Sequence, residues 1–356
     1  MTRGFLLGKF YPPHQGHHEL IEAARAQCDE LIVLVMAASA ETISMADRHR
    51  WLAERHPDVV VRSIVDDVPV DYDDPEIWDA HVALARAAVP ERIDVVFTGE
   101  AYGVELAERL GARSVIIERE GRSASAVRAD VAGHWDELSG PVRAGLAKRV
   151  VVLGAESTGT TTLSTALAAR FGAAWVPEYG RAYSVDKQAA GTLDVWTPED
   201  FIVIAARQSQ MEDATAATGG PVLVCDTDAL ATVVFEELYL GAANPVTEHL
   251  ARGRVPDLYV LTSDAGIAWE DDGLREFPDS RAWMTARFRE RLAEQPAPWI
   301  EVVGSREERL ATAAAAVDGL LRDGWRFGAD PTSLVVPATE DVGSAVGRVT
   351  FRARGR

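Results

Sequence analysis

Two glycine-bearing loops, each set directly behind a short apolar run, constrain this chain more than any other feature. The first run, Phe5-Leu6-Leu7, opens into Gly8-Lys9-Phe10-Tyr11-Pro12-Pro13-His14-Gln15-Gly16-His17. The second, Val150-Val151-Val152-Leu153, opens into Gly154-Ala155-Glu156-Ser157-Thr158-Gly159-Thr160-Thr161. A strand that ends in a glycine turn and then a helix is the βα unit of a parallel sheet, and it presents backbone donors to an anion. Two such units predict two α/β domains with a phosphate site in each, serving consecutive steps of one route.

The intervening sequence has the matching alternation. Apolar strand patterns fall at 4–7, 31–36, 59–64, 95–98 and 115–117, with amphipathic helix patterns such as 19–26 and 46–55 between them. Ser44, three residues before Asp47, reads as the N-cap of the second helix. A second series has strands at 150–153, 174–176, 222–225, 258–261 and 300–303, and helices at 161–171, 198–217, 281–292 and 307–321. The expected division is 1–146 and 147–326, without a flexible linker at 145–148, and then a loosely ordered tail at 327–356, rich in Gly, Pro, Ser and Thr with a basic end.

A chain of 356 residues can bury two ordinary cores. Its net charge of −19 argues against general affinity for nucleic acid, which needs a basic footprint. Phosphorylated small molecules remain compatible, because local donors bind anions inside an acidic protein. The cysteines, Cys28 and Cys225, are too few for a metal or disulfide framework and fit a reduced, cytoplasmic setting. No signal peptide is read ahead of the first strand, and no apolar run reaches the ~18 residues of a membrane span. The oligomeric state is left open, a homo-oligomer included.

In the first loop, Gly8 and Gly16 allow the backbone close to a ligand. The helix beginning near Gly16 is expected to aim free N–H groups at an anion. His14 and His17, three residues apart, are placed to face one phosphate from the same edge. Attack of a phosphate on the α-phosphate of a nucleoside triphosphate needs no protein nucleophile. It needs positioning and neutralised charge, which histidine donors, a helix end and Mg2+ supply. A surface or core role is the competing reading of a lone histidine pair. The string resembles the signature of the nucleotidyltransferase superfamily, with Lys9 and Phe10 inside it. That superfamily also carries a late Ser-x-Thr-x-x-Arg motif, matched by Ser123-Ala124-Ser125-Ala126-Val127-Arg128 with serine in the threonine position. Ser123 and Ser125 would hold the β- and γ-phosphates and Arg128 would be the fixed cation; a plain helix cap is the alternative. The stretch 118–122 before it is shorter than the family leads one to expect.

The second loop has the glycine spacing of a P-loop, with Ser157, Thr158, Gly159, Thr160, Thr161 and Thr162 as phosphate-binding residues. It departs from that pattern at Thr160, which occupies the position of the lysine that reaches the β- and γ-phosphates. Thr161 retains the hydroxyl that serves Mg2+. The missing cation is sought at Arg181, Lys187 or Arg275, or elsewhere in the stretch 275–291. Asp226, ending the strand at 222–225, stands where a Mg2+-organising aspartate belongs, and Glu178 at a strand's carboxyl edge can accept a hydroxyl proton. A helix cap or a solvated loop charge is the alternative for each acid.

Together these segments resemble the bacterial bifunctional nicotinamide-mononucleotide adenylyltransferase and ribosylnicotinamide kinase proteins of the NadR type, over roughly residues 1–325. The resemblance rests also on Asp66-Asp67-Val68-Pro69, Phe97-Thr98-Gly99-Glu100, Glu178-Tyr179-Gly180-Arg181, Asp226-Thr227-Asp228 and Trp269-Glu270-Asp271-Asp272-Gly273-Leu274-Arg275. It implies a Rossmann-like nucleotidyltransferase domain followed by a P-loop kinase domain, with ATP and Mg2+ in both reactions. The kinase would phosphorylate nicotinamide riboside, and the transferase would join the mononucleotide to AMP, giving NAD and pyrophosphate. It further implies substrate contacts at Tyr179, Arg181, Asp228, Trp269, Asp272 and Arg275. Trp269 would stack on the cationic nicotinamide ring, with a core role as its alternative. Trp78 is a weaker candidate of the same kind, for which the core reading is preferred. Some members carry an extra N-terminal DNA-binding module. The first strand here begins near Phe5, so no such module and no DNA binding are expected. Rival readings are a transferase for another phosphorylated substrate such as pantetheine phosphate, a P-loop domain that senses ligands without turnover because of Thr160, and a non-enzymatic NAD sensor.

Overall fold

The structure, a computed structural model, describes residues 1–117, 121, 123–269 and 278–328. It forms two compact units, Met1–Val142 and Arg143–Gly324, with the described residues from Trp325 onward belonging to the first.

In the first unit β1 (Arg3–Gly8), α1 (Gln15–Arg25), β2 (Glu30–Ala37), α2 (Met45–Arg55), β3 (Val60–Val65), α3 (Pro75–Ala88), β4 (Val95–Thr98), α4 (Tyr102–Leu110) and β5 (Arg113–Ile116) alternate, followed by α5 (Ala124–Ala129); α6 (Gly140–Leu146) spans the division between the units. The described strands pair in parallel in the order β3-β2-β1-β4-β5. The inner strand β2 is a continuous apolar run, Leu31-Ile32-Val33-Leu34-Val35, because helices bury both of its faces. Phe5, Ile32 and Leu34 pack beneath α3 and α4, while Leu6, Val33 and Val35 pack beneath α1 and α2. Ser44 caps α2 by accepting from Asp47 N–H, and Asp74 with Pro75 starts α3. The order reverses beside β1, so the loop after Gly8 lies at a switch point, where open α/β sheets bind ligands.

The second unit contains β6 (Lys148–Gly154), α7 (Thr160–Phe171), β7 (Ala174–Val176), α8 (Tyr179–Ala190), α9 (Pro198–Thr218), β8 (Val222–Asp226), α10 (Ala229–Leu240), α11 (Pro245–Arg252), β9 (Leu258–Thr262), α12 (Arg281–Ala293), β10 (Trp299–Val302) and α13 (Arg306–Asp323). Its described strands are parallel in the order β10-β9-β6-β8-β7. Val150, Val152, Val224 and Val260 pack against Leu163 and Leu167 of α7 and Val317 of α13. β6 is central, so its carboxyl end delivers the glycine loop into the middle of that sheet's edge.

The tail expected at 327–356 lies outside the described residues beyond Gly328. Phe327 and Gly328 themselves are packed rather than loose, because the ring meets Tyr11 edge-on and Gly328 N–H bonds the Tyr11 hydroxyl.

Candidate functional site

Among the described residues the non-glycine positions with positive φ are Phe10 (48°), Ser157 (59°) and Thr227 (65°). Such backbone is costly for L-residues and persists where surrounding structure enforces it, commonly at functional sites. All three lie in or beside the two loops singled out in the sequence.

At the first loop His14 is the N-cap of α1 and is buried. Its Nδ1 accepts from Gly16 N–H at 3.2 Å, while His17 Nδ1 accepts from His14 N–H at 3.3 Å. The two rings lie 3.9 Å apart, so the expected pair forms. Because each Nδ1 is an acceptor, a neutral ring carries its proton on Nε2, which becomes the donor. One expectation needs correction. Not all the N–H groups at the start of α1 are free. Gly16 N–H bonds the His14 ring, and the N–H groups of His17 and His18 bond the His14 carbonyl at 2.8 and 3.2 Å. His14, through its ring and its carbonyl, has thus taken the Gly16, His17 and His18 donors, and the two rings stand beside the helix start as further groups for a phosphate.

The late motif reaches this loop. Arg128 Nη1 donates to the Tyr11 carbonyl at 2.9 Å and Nη2 to Ser125 Oγ at 3.1 Å, and its guanidinium carbon lies 5.3 Å from the Tyr11 ring centre. Ser123 caps α5 by accepting from Ala126 N–H at 3.1 Å. Lys9 Nζ lies 3.8 Å from Glu41 Oε1. Sequence reasoning missed the group beneath the loop. Arg48 is fully buried and donates to the Lys9 carbonyl at 2.9 Å, to the Ile43 carbonyl at 2.7 Å and to Glu41 at 2.6 Å. In sequence Arg48 is one charge of an amphipathic helix and carries no mark of burial. Trp78 lies in the core, 8 % exposed, with its indole N–H donated to the Tyr72 carbonyl at 3.0 Å.

At the second loop Gly154 is required by space. A Cβ there would lie 2.2 Å from Thr262 Oγ1 and 2.8 Å from the Thr262 carbonyl. Gly159 (φ 86°) starts α7. Thr158 Oγ1 bonds the Ala155 carbonyl and Thr262 Oγ1, both at 2.6 Å, and Arg309 Nη1 donates to the Thr158 carbonyl at 3.1 Å. A cleft of ≈ 970 Å³, partly open to solvent, is lined by Glu156, Ser157, Thr160, Thr161, Glu178, Arg181 and Thr227 on its polar side. Asp226 is 1 % exposed, which removes the solvated-charge reading. Burial pushes its carboxyl up to about 6, against the pull of the Thr161 and Thr160 hydroxyls and Arg181. Its Oδ1 is buried without a hydrogen-bond partner. Glu178 occupies the N-cap position of α8 but makes no side-chain cap bond, and its Oε1 lies over Gly180.

Among the candidate replacements for the lysine, Arg181 lines the cleft. Lys187 is held by Asp200 at 3.3 Å and lies 4.9 Å over the Trp196 ring. The described arginines of α12 are occupied otherwise, which corrects the expectation for that stretch. Arg287 and Arg291 pair with Glu237, Arg289 with Glu301 at 2.7 Å, and Arg281 donates to the Ile267 carbonyl at 3.0 Å. Asp272 and Arg275 lie outside the described residues. Trp269 is half-buried, does not line the cleft, and has the Arg281 guanidinium 6.0 Å from its ring centre. Asp228 lies behind the cleft wall, where it caps α10 through Ala231 N–H and accepts from Tyr259 Oη, both at 2.9 Å. Tyr179 also lies off the cleft, its N–H donated to Gln208 Oε1 at 2.9 Å. Thr162, in the first turn of α7, is exposed and outside the lining.

The apolar wall of the cleft, Trp196, Phe201, Ile204, Phe235 and Tyr239, was not read from sequence as a site. Trp196 and Phe201, ring centres 5.3 Å apart, flank the Thr197–Asp200 capping box as a hydrophobic staple. That pattern is legible in Trp-Thr-Pro-Glu-Asp-Phe. Only the approach of Tyr239 from α10, 5.0 Å from Trp196, makes it a wall.

Fold and sites define a class: a nucleotidyltransferase-type domain followed by a P-loop domain. Residues 5–68 match the cytidylyltransferase-like family and residues 149–309 the AAA domain family. The chain is 27 % identical over 302 residues to the trifunctional NAD biosynthesis/regulator protein NadR of Escherichia coli (strain K12), covering 78 % of this chain and 73 % of that protein. It is 32 % identical over 113 residues to the nicotinamide-nucleotide adenylyltransferase of Halobacterium salinarum, covering 30 % and 60 %. A crystal structure of a NadR protein in complex with NR matches with a TM-score of 0.69 at 22 % identity, over 90 % of this chain and 96 % of that one. The chain is a NadR-like two-domain protein.

Proposed function

We propose that this protein is a bifunctional enzyme of NAD biosynthesis, with a nucleotidyltransferase domain at 1–146 and a kinase domain at 147–326. The first adenylylates nicotinamide mononucleotide with ATP, releasing pyrophosphate. The second phosphorylates nicotinamide riboside with ATP to supply that mononucleotide. The observation that carries the reading is the meeting of the two separated motifs at one loop, through the Arg128 bond to the Tyr11 carbonyl beside the His14/His17 pair. NadR relatives over most of the chain support the pairing of activities.

In adenylyl transfer His14 and His17 donate from Nε2 to the phosphates, and Arg128 neutralises charge that grows on the departing pyrophosphate. In the kinase Glu178 accepts the proton of the attacking hydroxyl, and Arg181 supplies the positive charge that Thr160 lacks. Hard oxygen donors suit Mg2+, and the orphaned Asp226 Oδ1 near the Thr161 hydroxyl fits such an ion. Bound there by Thr161 and Asp226, Mg2+ would offset phosphate charge. The apolar wall around Trp196 is where a flat ring would lie, with Trp269 a second such surface. Small molecules are the partners in this reading, and the setting is cytoplasmic. No described helix is long and apolar enough to cross a membrane.

The test is product analysis. Purified protein with ATP, Mg2+ and the mononucleotide should yield NAD and pyrophosphate. With the riboside it should yield mononucleotide and then NAD. NAD from mononucleotide without any product from riboside would leave a transferase joined to a ligand-sensing domain, a reading that Thr160 in the lysine position favours.

A further inference from the structure

After α13 the chain turns at Gly324 (φ 62°), and residues 325–328 run across the first unit, outside its sheet. This segment is anchored at every residue. Trp325 lies 6.3 Å from Trp135, the Arg326 carbonyl accepts from Thr42 Oγ1 at 3.0 Å, and Phe327 meets the Tyr11 ring edge-on at 5.6 Å. Gly328 N–H donates to the Tyr11 hydroxyl at 3.0 Å. The seat at Gly328 is tight, since a Cβ there would lie 2.1 Å from the Ala40 carbonyl oxygen.

The hydrogen bonds around Tyr11 form a closed account. Thr42 Oγ1 gives its proton to the Arg326 carbonyl, so the 2.8 Å contact between Tyr11 Oη and Thr42 Oγ1 must carry the tyrosine proton. The remaining acceptor capacity of Tyr11 Oη takes Thr42 N–H at 2.9 Å and Gly328 N–H. The buried Tyr11 hydroxyl is thus a hub with every bond accounted for, although Thr42 and Arg326 at the rim are exposed, and losing the Gly328 or Thr42 partner loosens its seat. The Tyr11 side chain is 2 % exposed, with Arg48 4.8 Å and Arg128 5.3 Å from its ring centre. Its carbonyl holds Arg128 Nη1. The hub therefore connects the strap to the guanidinium placed for the triphosphate.

We propose that residues 325–328 are a positioning strap for adenylyl transfer, which fixes Tyr11 and through it Arg128. The inference rests on the transferase reading of this site. The strap acts on the geometry of a group whose work falls in the transition state, and a displacement of ~1 Å at such a group lowers turnover by up to ~10²-fold. It should therefore affect kcat more than the KM for mononucleotide.

The experiment measures NAD formation from mononucleotide and ATP by the full chain and by Phe327→Ala, Phe327→Tyr, Tyr11→Phe and a chain ending at Gly324, with thermal melting of each. The wild-type rate tests the reading of the site; the ratio of variant to wild type tests the strap. Phe327→Ala and the truncation should lower kcat about tenfold or more while KM for mononucleotide stays within about threefold. Phe327→Tyr, which keeps the ring, should restore the rate. Combining Phe327→Ala with Arg128→Lys should cost little beyond Arg128→Lys alone, because both act through one guanidinium. Wild-type kcat in the truncated chain, effects of the two substitutions that multiply independently, or a rate loss that only follows the fraction unfolded would each overturn the proposal.

Discussion

His18 adjoins the His14/His17 pair in sequence but lies about 100° further round α1 from His17 and is 1 % exposed. Its Nδ1 lies 2.9 Å from His56 Nε2, and its own Nε2 is buried without a partner. Burial, and after it the neighbouring His56, Arg55 and His14, push its pKa from 6.5 down to about 3. The folded-state value is depressed, so the unfolded chain binds the proton first and stability is lost as pH falls below 6.5. At about pH 5 the loss is RT ln(1 + 10^1.5), or about 2 kcal/mol. Raising the folded pKa by one unit changes that result by less than about 0.1 kcal/mol, so it does not depend on the exact depression. Glu212 in the second unit predicts the opposite sign. Burial and Asp228 push its carboxyl up from 4.5 to about 7, outweighing Arg254 and Arg149. Its protonated form favours the fold, and Glu212 alone should add on the order of 2 kcal/mol to the second unit between about pH 7.5 and pH 5, a gain that the buried Asp226 and Asp228, both pushed up to about 6, share in sign. Denaturant unfolding of wild type and His18→Leu at both pH values is the assay, with adenylyl transfer reporting on the first unit. Wild type should lose about 2 kcal/mol more than His18→Leu in the first transition on acidification. The same pH dependence in both proteins would refute the buried neutral histidine as its cause.

Removing one transition-state donor by His17→Ala should lower NAD formation from mononucleotide by roughly 10²-fold, with mononucleotide still bound in a calorimetric titration. In the kinase, Asp226→Asn should abolish riboside phosphorylation and Arg181→Met should lower it by ~10²-fold, whereas Thr160→Lys should change it modestly, because the charge is already supplied. A hundredfold gain in Thr160→Lys would show instead that the charge is missing from the native site. Trp269→Ala should weaken riboside binding by ~0.5–2 kcal/mol without affecting adenylyl transfer; unchanged riboside affinity by calorimetry would leave Trp269 a packing residue and move the stacking role to Trp196.

Much of the fold was legible because parallel α/β architecture writes itself locally. Buried strands such as 31–36 and 222–225 are apolar on both faces, and helix starts at Ser44 and Pro198 carry their own caps. The glycine loops were legible for the same reason: Gly154 leaves no room for a side chain and Gly159 takes a positive φ that favours glycine. The joining of Arg128 to the loop at Tyr11, across more than a hundred residues, could be expected only because both strings resemble one signature.

The sequence alone determined the two βα phosphate units, their order, the missing lysine at Thr160 and the charge balance, since each depends on residues close together in the chain. Tertiary structure decided which polar groups remain available. His14 takes the Gly16, His17 and His18 donors of α1, Glu237 and Glu301 engage α12 arginines, and Asp228 is turned to α10 and Tyr259. It also decided that Arg48 is buried, that Tyr239 packs on Trp196 to build one wall of the cleft, and that residues 325–328 return to Tyr11. These facts depend on which side chains approach from distant segments, and no local pattern of periodicity or capping encodes that approach.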